Sequence, residues 1–561
     1  MEIAIVGGGI TGLVTAYYAA HRFRSAHITI FEASSRLGGS IESTRLDVSS
    51  GSQSMRFLCE KGPRTLRVNA PRAAVTYELI QSLDLTSECL AVPNDSPVAG
   101  TRYILYPKHL VGLPAVNSPA IRHVAFIPAP SRLGLSRMAR YCCLIATEPL
   151  LRNMIPGAFR DVFIARRPEG LRDESIGQFV TRRWGSDFTD NFLSAIIHGL
   201  YAGDINQLSV KSLMPKMWEL EKQAEIHKRR WGPLIGMGGV LREMMCKDQP
   251  QQGPLTVGTT SLRPFSSIIA ATSDALCSQT NHHPLEGLRE RLRNASVFSF
   301  KEGMESLPLA LANALWNTPN VNIRLDENVT DVKTVRSTTN LQLSIDDKPQ
   351  RYDRVIVTTP LRHLKTIIPS LHPFSGIESP AVTVMVVTLC YATLHLNHPY
   401  QGFGYLIPQS VPLHWNPEKA LGIIFDSDAM PGQDTGTTGT KITVIIGGHW
   451  WNANDDRQLP NEEQGTLMAR TLLKRHLGVT QVPIVSIATL RAHAIPQYTV
   501  GHSERMRDLH RSLRAGFDGR LRVAGCSYRG IGVHDCIFSA KSVVESLGAD
   551  GLTGLESFDE G

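Results

Sequence analysis

The chain enters Gly7-x-Gly9-x-x-Gly12 directly after the apolar run Ile3-Ala-Ile-Val6 and at the start of a helical pattern over residues 11–22. A second apolar run, Ile28 to Phe31, follows, and strand, glycine turn, helix and strand in that order predict a β-α-β nucleotide-binding unit. The glycines, with Gly8, Ile10 and Thr11 between them, permit a tight turn and let a pyrophosphate come close to the helix N-terminus. Glu32 ends the second strand, followed by Ala33; a carboxylate there accepts hydrogen bonds from both ribose hydroxyls and repels a 2′-phosphate. Arg36-Leu-Gly38-Gly39 then adds a cation to neutralise phosphate charge and a second flexible turn that lets backbone approach a flavin. Each glycine alone is a simple turn, but the whole constellation points to FAD.

With 561 residues the chain exceeds one hydrophobic core, so three or four domain-sized units are expected. No run of 18 apolar residues occurs, so any membrane contact is expected to be monotopic. The net charge of +7 is spread along the chain, which argues against nucleic acid and for an anionic substrate or lipid surface. The nine cysteines form no Cys-x-x-Cys pair, and the adjacent Cys142 and Cys143 lack metal-ligand spacing, so no metal site is expected and a reduced compartment or buried thiols fit. Met1 runs straight into the first strand, so targeting is expected to be internal unless the start is truncated.

The pattern predicts a mixed fold, α/β plus α+β. A discontinuous Rossmann-like FAD-binding domain covers 1–94, 296–358 and 490–548, and an antiparallel-sheet substrate domain covers 95–106 and 359–489. Strands are expected at Asn320 to Leu325, Arg354 to Thr358, Val382 to Tyr391 and Ile442 to Gly447, and a short strand, glycine turn and helix over Leu521 to Leu547. Residues 107–240 read as a helical insertion, including Arg132 to Phe159. Residues 246–295 read as a flexible polar loop in which His282-His283 has no further ligand nearby, and 549–561 as a disordered tail.

With these motifs in view, the start of the chain resembles the flavin amine oxidase and desaturase superfamily, whose second signature is present as Val523-Ala524-Gly525 and Gly532-Val533-His534-Asp535. Within it, Glu60-Lys-Gly62-Pro63-Arg64-Thr65-Leu-Arg67, His198-Gly199-Leu200-Tyr201-Ala-Gly-Asp204, Gln401-Gly-Phe403-Gly-Tyr-Leu406 and Ile495-Pro-Gln-Tyr498 are similar to the protoporphyrinogen oxidase family over nearly the whole chain. The resemblance implies cofactor contacts from Gly62, Pro63, Arg64, Thr65, Val329, Gly525, Val533, His534 and Asp535, the last three through a helix whose N-terminus stabilises a reduced flavin. It implies a propionate anchor at Arg102, close approach of a tetrapyrrole at Gly199 and Leu200, and ring contacts from Phe403, Leu406 and Ile445. Taken singly, Arg102 also fits a surface strand, Gly199 a helix end, and Phe403 and Leu406 ordinary core. His534 and Ile445 depart from the family, which more often carries Asn and Met at these positions.

The activity so implied is a six-electron oxidation of protoporphyrinogen IX to protoporphyrin IX by one non-covalent FAD per chain, with O2 reduced to H2O2. No catalytic side chain is implied, since the flavin abstracts hydride; His198 is the nearest candidate for a base. The same resemblance implies a peripheral, monotopic enzyme on the intermembrane-space side of the mitochondrial inner membrane. It would hold on through the helical insertion with Arg132, Arg137, Arg140 and Arg152, and have ferrochelatase and a second copy of the chain as possible partners. An ordinary amphipathic bundle fits that insertion equally. The competing functions are an amine oxidase of the same superfamily, which Arg102 and an apolar pocket disfavour, and an inactive or inhibitor-tolerant paralogue.

Overall fold

The computed structural model describes residues 1–50, 53–96, 101–113, 148–150, 167–221, 286–335, 340–369, 380–436, 439–451, 458–549 and 551–559. Apart from 148–150, the expected helix at Arg132 to Phe159 lies outside them, as do Cys142-Cys143, His282-His283 and most of the loop 246–295.

Strand Glu2–Val6 is buried from its second residue onward because both of its faces are covered. It lies at the centre of a five-stranded parallel sheet, ordered Val321–Arg324, His27–Phe31, Glu2–Val6, Arg354–Val357, Leu521–Val523. Strands buried on both faces read as unbroken apolar runs, which is why these were visible in the sequence. On one face Ile3, Ile5 and Ile30 pack with Leu13, Leu307 and Val543 of helices Ile10–Arg22, Ser306–Trp316 and Val533–Glu545. On the other, Ala4, Val6 and Phe31 pack on the antiparallel strands Val329–Thr334, Leu341–Ile345 and Lys348–Tyr352 and on helices Leu361–Ile367 and His502–Phe517. Each large aliphatic side chain so buried is worth roughly 1.5–3 kcal/mol.

The second sheet has seven strands, ordered Val485–Pro496, Ala381–Tyr391, Thr440–Gly447, Ala420–Ile424, Gly404–Leu406, Arg102–Leu105, Leu110–Leu113. It was expected to be antiparallel, and it is except where Gly404–Leu406 runs parallel to Arg102–Leu105. One face packs on helix Glu462–Leu477 through Ala469, Leu472 and Leu473. The other meets helices Ile176–Trp184 and Ser194–Tyr201 through Ile104, Val111 and Leu406.

Four expected boundaries move. Residue 490 falls inside strand Val485–Pro496, which is paired along its length with Ala381–Tyr391, so the second sheet extends to 496. Helix Leu361–Ile367, expected in the substrate domain, buries Leu361, Leu364 and Ile367 in the core of the parallel sheet. Leu110–Leu113, expected in the helical insertion, is a strand. The expected disordered tail folds back: Val523 N–H donates to the Thr553 carbonyl at 2.8 Å, and Leu555 is fully buried.

Candidate active site

At the end of the first strand Gly7 turns with φ +106°, a conformation open to glycine. A Cβ on Gly12 would lie 1.8 Å from the Gly7 carbonyl oxygen, so the helix start packs directly on the turn. A Cβ on Gly9 would meet nothing closer than Gly39 Cα at 3.8 Å. Gly9 is the N-cap of helix Ile10–Arg22 and supplies no side-chain cap, so its first N–H groups are free for a ligand. Gly38, at φ +99°, donates its N–H to the Gly8 carbonyl at 3.0 Å, and Gly39 follows at φ +60°; the two glycine turns lie side by side as one cradle. Glu32 accepts from Gly8 N–H at 2.7 Å and from the Ser34 N–H and hydroxyl at 2.9 and 2.7 Å. Glu32 and Ala33 open onto a cavity of about 490 Å³ at the carboxyl ends of the parallel strands, with Val329 and Thr359 on its far wall. That is where this topology takes an adenosine.

Arg36, expected to face phosphate, is instead drawn into the second turn. Its guanidinium donates to the carbonyls of Leu37 and Gly39 and lies 3.4 Å from Glu42 and 3.8 Å from Glu305. Burial alone would raise the Glu42 carboxyl, but hydrogen bonds from Lys61 and Arg491 and the charge of Arg36 hold it at about 2. Glu42 thus ties the glycine turn to strand Val485–Pro496, a role that no local motif announces.

The second signature closes on the first. Gly525, at φ +118°, faces Thr11, whose Oγ1 would be 3.3 Å from a Cβ there. Gly532 caps helix Val533–Glu545, where the Asp535 carboxylate accepts the Gly532 N–H at 3.2 Å and pairs with Arg72 at 2.9 Å. His534 turns inward: Nε2 donates to the Arg67 carbonyl at 3.1 Å and Nδ1 accepts from the Thr76 hydroxyl at 2.7 Å. Burial lowers its pKa to about 4, so the ring is neutral and only the backbone of His534 and the half-buried Val533 are left to meet a ligand. A Cβ on Gly62 would be 2.0 Å from the Ser40 carbonyl, which docks the Gly62-Pro63 segment against the cradle. Arg64 pairs with Asp426 at 2.6 Å, and Arg64 and Thr65 share a small polar chamber with Phe403, Glu60 and Lys441. Burial raises the Glu60 carboxyl to about 7.

The candidate substrate residues share one face of the second sheet. Cross-strand register sets Ile104 beside Leu406, Leu406 beside Gly422, and Gly422 beside Ile445. Gly422 lets the Leu406 side chain lie over it, a Cβ there being 3.0 Å from Leu406 Cδ2, and Gly199 packs on the same side chain, where a Cβ would lie 2.7 Å from Cδ2; Leu406 and Ile445 are half-buried and Gly199 is exposed, so they form an apolar surface. Gly422 was missed from the sequence because only register reveals it. Leu200 is half-buried on the same helix. Arg102, two residues from Ile104 on the same face, stands 5.6 Å from the Phe403 ring centroid, and no carboxylate pairs with it among the described residues. Burial and then the nearby charge of Arg67 push its pKa down. A half-buried guanidinium beside apolar side chains, with a second, exposed one nearby, favours an anionic ligand.

A nucleotide cradle made by two glycine turns and two helix N-termini defines a flavin-dependent oxidoreductase. The description of the flavin containing amine oxidoreductases matches residues 10–547, and the chain belongs to that family. A protoporphyrinogen oxidase of Schizosaccharomyces pombe is 30% identical over 548 residues, covering 98% of both chains. One of Homo sapiens is 28% identical over 558 residues, covering 97% of this chain and 98% of the relative. A solved structure from Exiguobacterium sp. 255-15 shares the fold with a TM-score of 0.64 at 21% identity, over 97% of this chain and 98% of that one.

Proposed function

We propose that the chain oxidises protoporphyrinogen IX to protoporphyrin IX in heme biosynthesis, with a non-covalent FAD as its flavin and O2, reduced to H2O2, as the acceptor. The observation that carries this reading is Arg102, which pairs with no carboxylate among the described residues, on the same sheet face as the half-buried Leu406 and Ile445. A flat, apolar macrocycle with propionates at one edge matches an apolar surface with a cation at one end, whereas a cationic amine would be repelled. The relatives of Schizosaccharomyces pombe and Homo sapiens, which cover nearly the whole chain, carry this activity in their names.

FAD fits the residues present. Glu32 and the cavity beside Val329 would hold the adenosine, and Gly7, Gly9, Gly38 and Gly39 would admit the pyrophosphate without a side chain in the way. Gly62 to Thr65 and the backbone at Val533 would border the ring system. When bound, the flavin supplies the hydride acceptor. The protein's share is placement: Arg102 orients the macrocycle by its propionates, and Phe403 and Leu406 fix its plane.

No helix among the described residues is long and apolar enough to cross a membrane. A peripheral placement on the intermembrane-space side of the mitochondrial inner membrane, handover of product to a ferrochelatase and pairing with a second copy belong to the same proposal, by likeness to the family. The test is turnover: purified protein given protoporphyrinogen IX in air produces porphyrin fluorescence with matching oxygen uptake. Fluorescence no faster than autoxidation would refute the reading.

A further inference from the structure

We infer that Tyr498 is a positioning residue for the flavin: its hydroxyl holds the loop from Gly525 to Gly532, and with it the N-terminus of helix Val533–Glu545, in place for that ligand; this rests on the flavin reading above. Tyr498 closes the stretch Ile495-Pro-Gln-Tyr498, which leaves the second sheet at the end of strand Val485–Pro496. Its side chain is buried, and its hydroxyl donates to the Cys526 carbonyl at 2.6 Å and accepts from the Gly530 N–H at 2.7 Å. One oxygen thus spans most of the loop, and the direction of both bonds is fixed, since a carbonyl only accepts and an N–H only donates. Burial pushes the pKa of the Tyr498 hydroxyl up, so it keeps the proton that it donates. The buried His502 lies flat on the Tyr498 ring, with centroids 3.8 Å apart and planes 9° from parallel, and its Nε2 donates to the Tyr528 carbonyl at 3.1 Å.

The loop passes its position on to the helix. Arg72 donates to the Arg529 carbonyl at 2.8 Å and pairs with the Asp535 carboxylate at 2.9 Å, and that carboxylate accepts the Gly532 N–H at the helix start. Gly530, at φ +140°, lies so close to the first turn that a Cβ there would be 2.4 Å from Asp535 Cγ. At its other end the loop begins at Gly525, which faces Thr11 of the first glycine helix. Both ends of the loop therefore border the cradle, while Tyr498, His502 and Arg72 hold its backbone from outside. Tyr498 is itself anchored away from the cradle. Its carbonyl accepts the Ser209 N–H at 2.8 Å, and the neighbouring Gln497 donates from Nε2 to the Tyr201 carbonyl at 2.9 Å, at the end of the helix that carries Gly199. A helix N-terminus acts on negative charge only within its first turn, so a loop that slackens and lets that turn shift weakens its hold on a flavin.

Tyr498→Phe keeps the ring and its stack on His502 and removes only the hydroxyl, leaving the Gly530 N–H and the Cys526 carbonyl without their partner. In the full chain the Kd for FAD should rise roughly tenfold, as for a buried hydrogen-bond partner lost. The midpoint potential of the bound flavin should fall, because reduced flavin carries more negative charge and loses more when the helix N-terminus shifts. His502→Phe keeps a ring on Tyr498, loses the bond to Tyr528, and should move both quantities the same way by less. A role in the fold alone would lower the urea midpoint and leave the potential of the bound flavin at the parent value. An unchanged Kd or an unchanged potential in folded Tyr498→Phe would overturn the assignment, as would variants that no longer fold where the parent does. A parent that binds no FAD would refute the flavin reading, and the role of Tyr498 with it.

Discussion

Gly9 and Gly12 belong to one motif, yet a side chain meets different fates at the two. At Gly12 it collides with the Gly7 carbonyl, so Gly12→Ala should destabilise the fold by at least ~1–3 kcal/mol, read as a lowered denaturation midpoint. At Gly9 there is room in the protein but not beside a pyrophosphate; Gly9→Val should give a normally folded chain that leaves gel filtration without flavin, and retained flavin would contradict the cradle. Arg102→Ala should weaken substrate binding by on the order of 1.5–3 kcal/mol through loss of a charge-assisted hydrogen bond, and an unchanged KM would remove it as the anchor. The glycines were legible because their spacing is local. Gly422 was not, because its meaning comes from strands Gly404–Leu406 and Thr440–Gly447 on either side of it. Arg36 was misdirected because nothing local shows that Glu42 and Glu305 converge on it.

Between elements, the decisive contact joins the hairpin strand Gln53–Glu60 to the second sheet. Asp434 accepts from the Leu58 N–H at 2.8 Å and from Lys441 Nζ at 2.8 Å, while Lys441 also donates to the Leu58 carbonyl at 2.6 Å. Burial opposes the charge of Lys441, but Asp434 and Asp426 keep it an ammonium. Asp434→Asn leaves that ammonium buried with a weaker partner, and Lys441→Met leaves the Asp434 carboxylate without its cation, so each should cost about 3–5 kcal/mol. A loss under about 1 kcal/mol for either in urea melts would contradict the pairing. Strands such as Glu2–Val6 and Ala381–Tyr391 were legible because they are apolar throughout. The boundary at 490 was misplaced because Val485–Pro496 carries Arg491 and His493 in its middle, and its partner lies about a hundred residues upstream. The tail was misread because its composition is that of a loop, while one docking residue, Leu555, decides its place.

At the scale of the whole molecule, burial lowers the pKa of six imidazoles among the described residues: His198 to about 3, His449, His502 and His534 to about 4, and His363 and His476 in the same direction. The unfolded chain binds protons at these sites below about 6.5 and the folded chain does not. Their contribution is therefore full above about pH 6.5 and is lost as pH falls toward 4. Glu60, raised to about 7, acts in the opposite sense: the stability it adds is full below its ordinary 4.5 and lost as pH rises through 7. Asp190, Asp428 and Asp535 are raised by burial too, but from a lower ordinary value, so the six imidazoles leave a net loss in acid and the urea midpoint should fall between pH 6.5 and 5; a flat profile would contradict these assignments. The division into a nucleotide-binding half and a second sheet that carries the candidate substrate residues was legible in outline, since each half has its own periodicity, but their joining through Glu42, Asp434 and Asp426 was not. The account as a whole rests on electrons passing from a porphyrinogen to a flavin held by this chain. Mixing the purified, oxidised protein with protoporphyrinogen IX under strict anaerobiosis should bleach the oxidised-flavin band and yield the first oxidation product. A flavin that stays oxidised would contradict it.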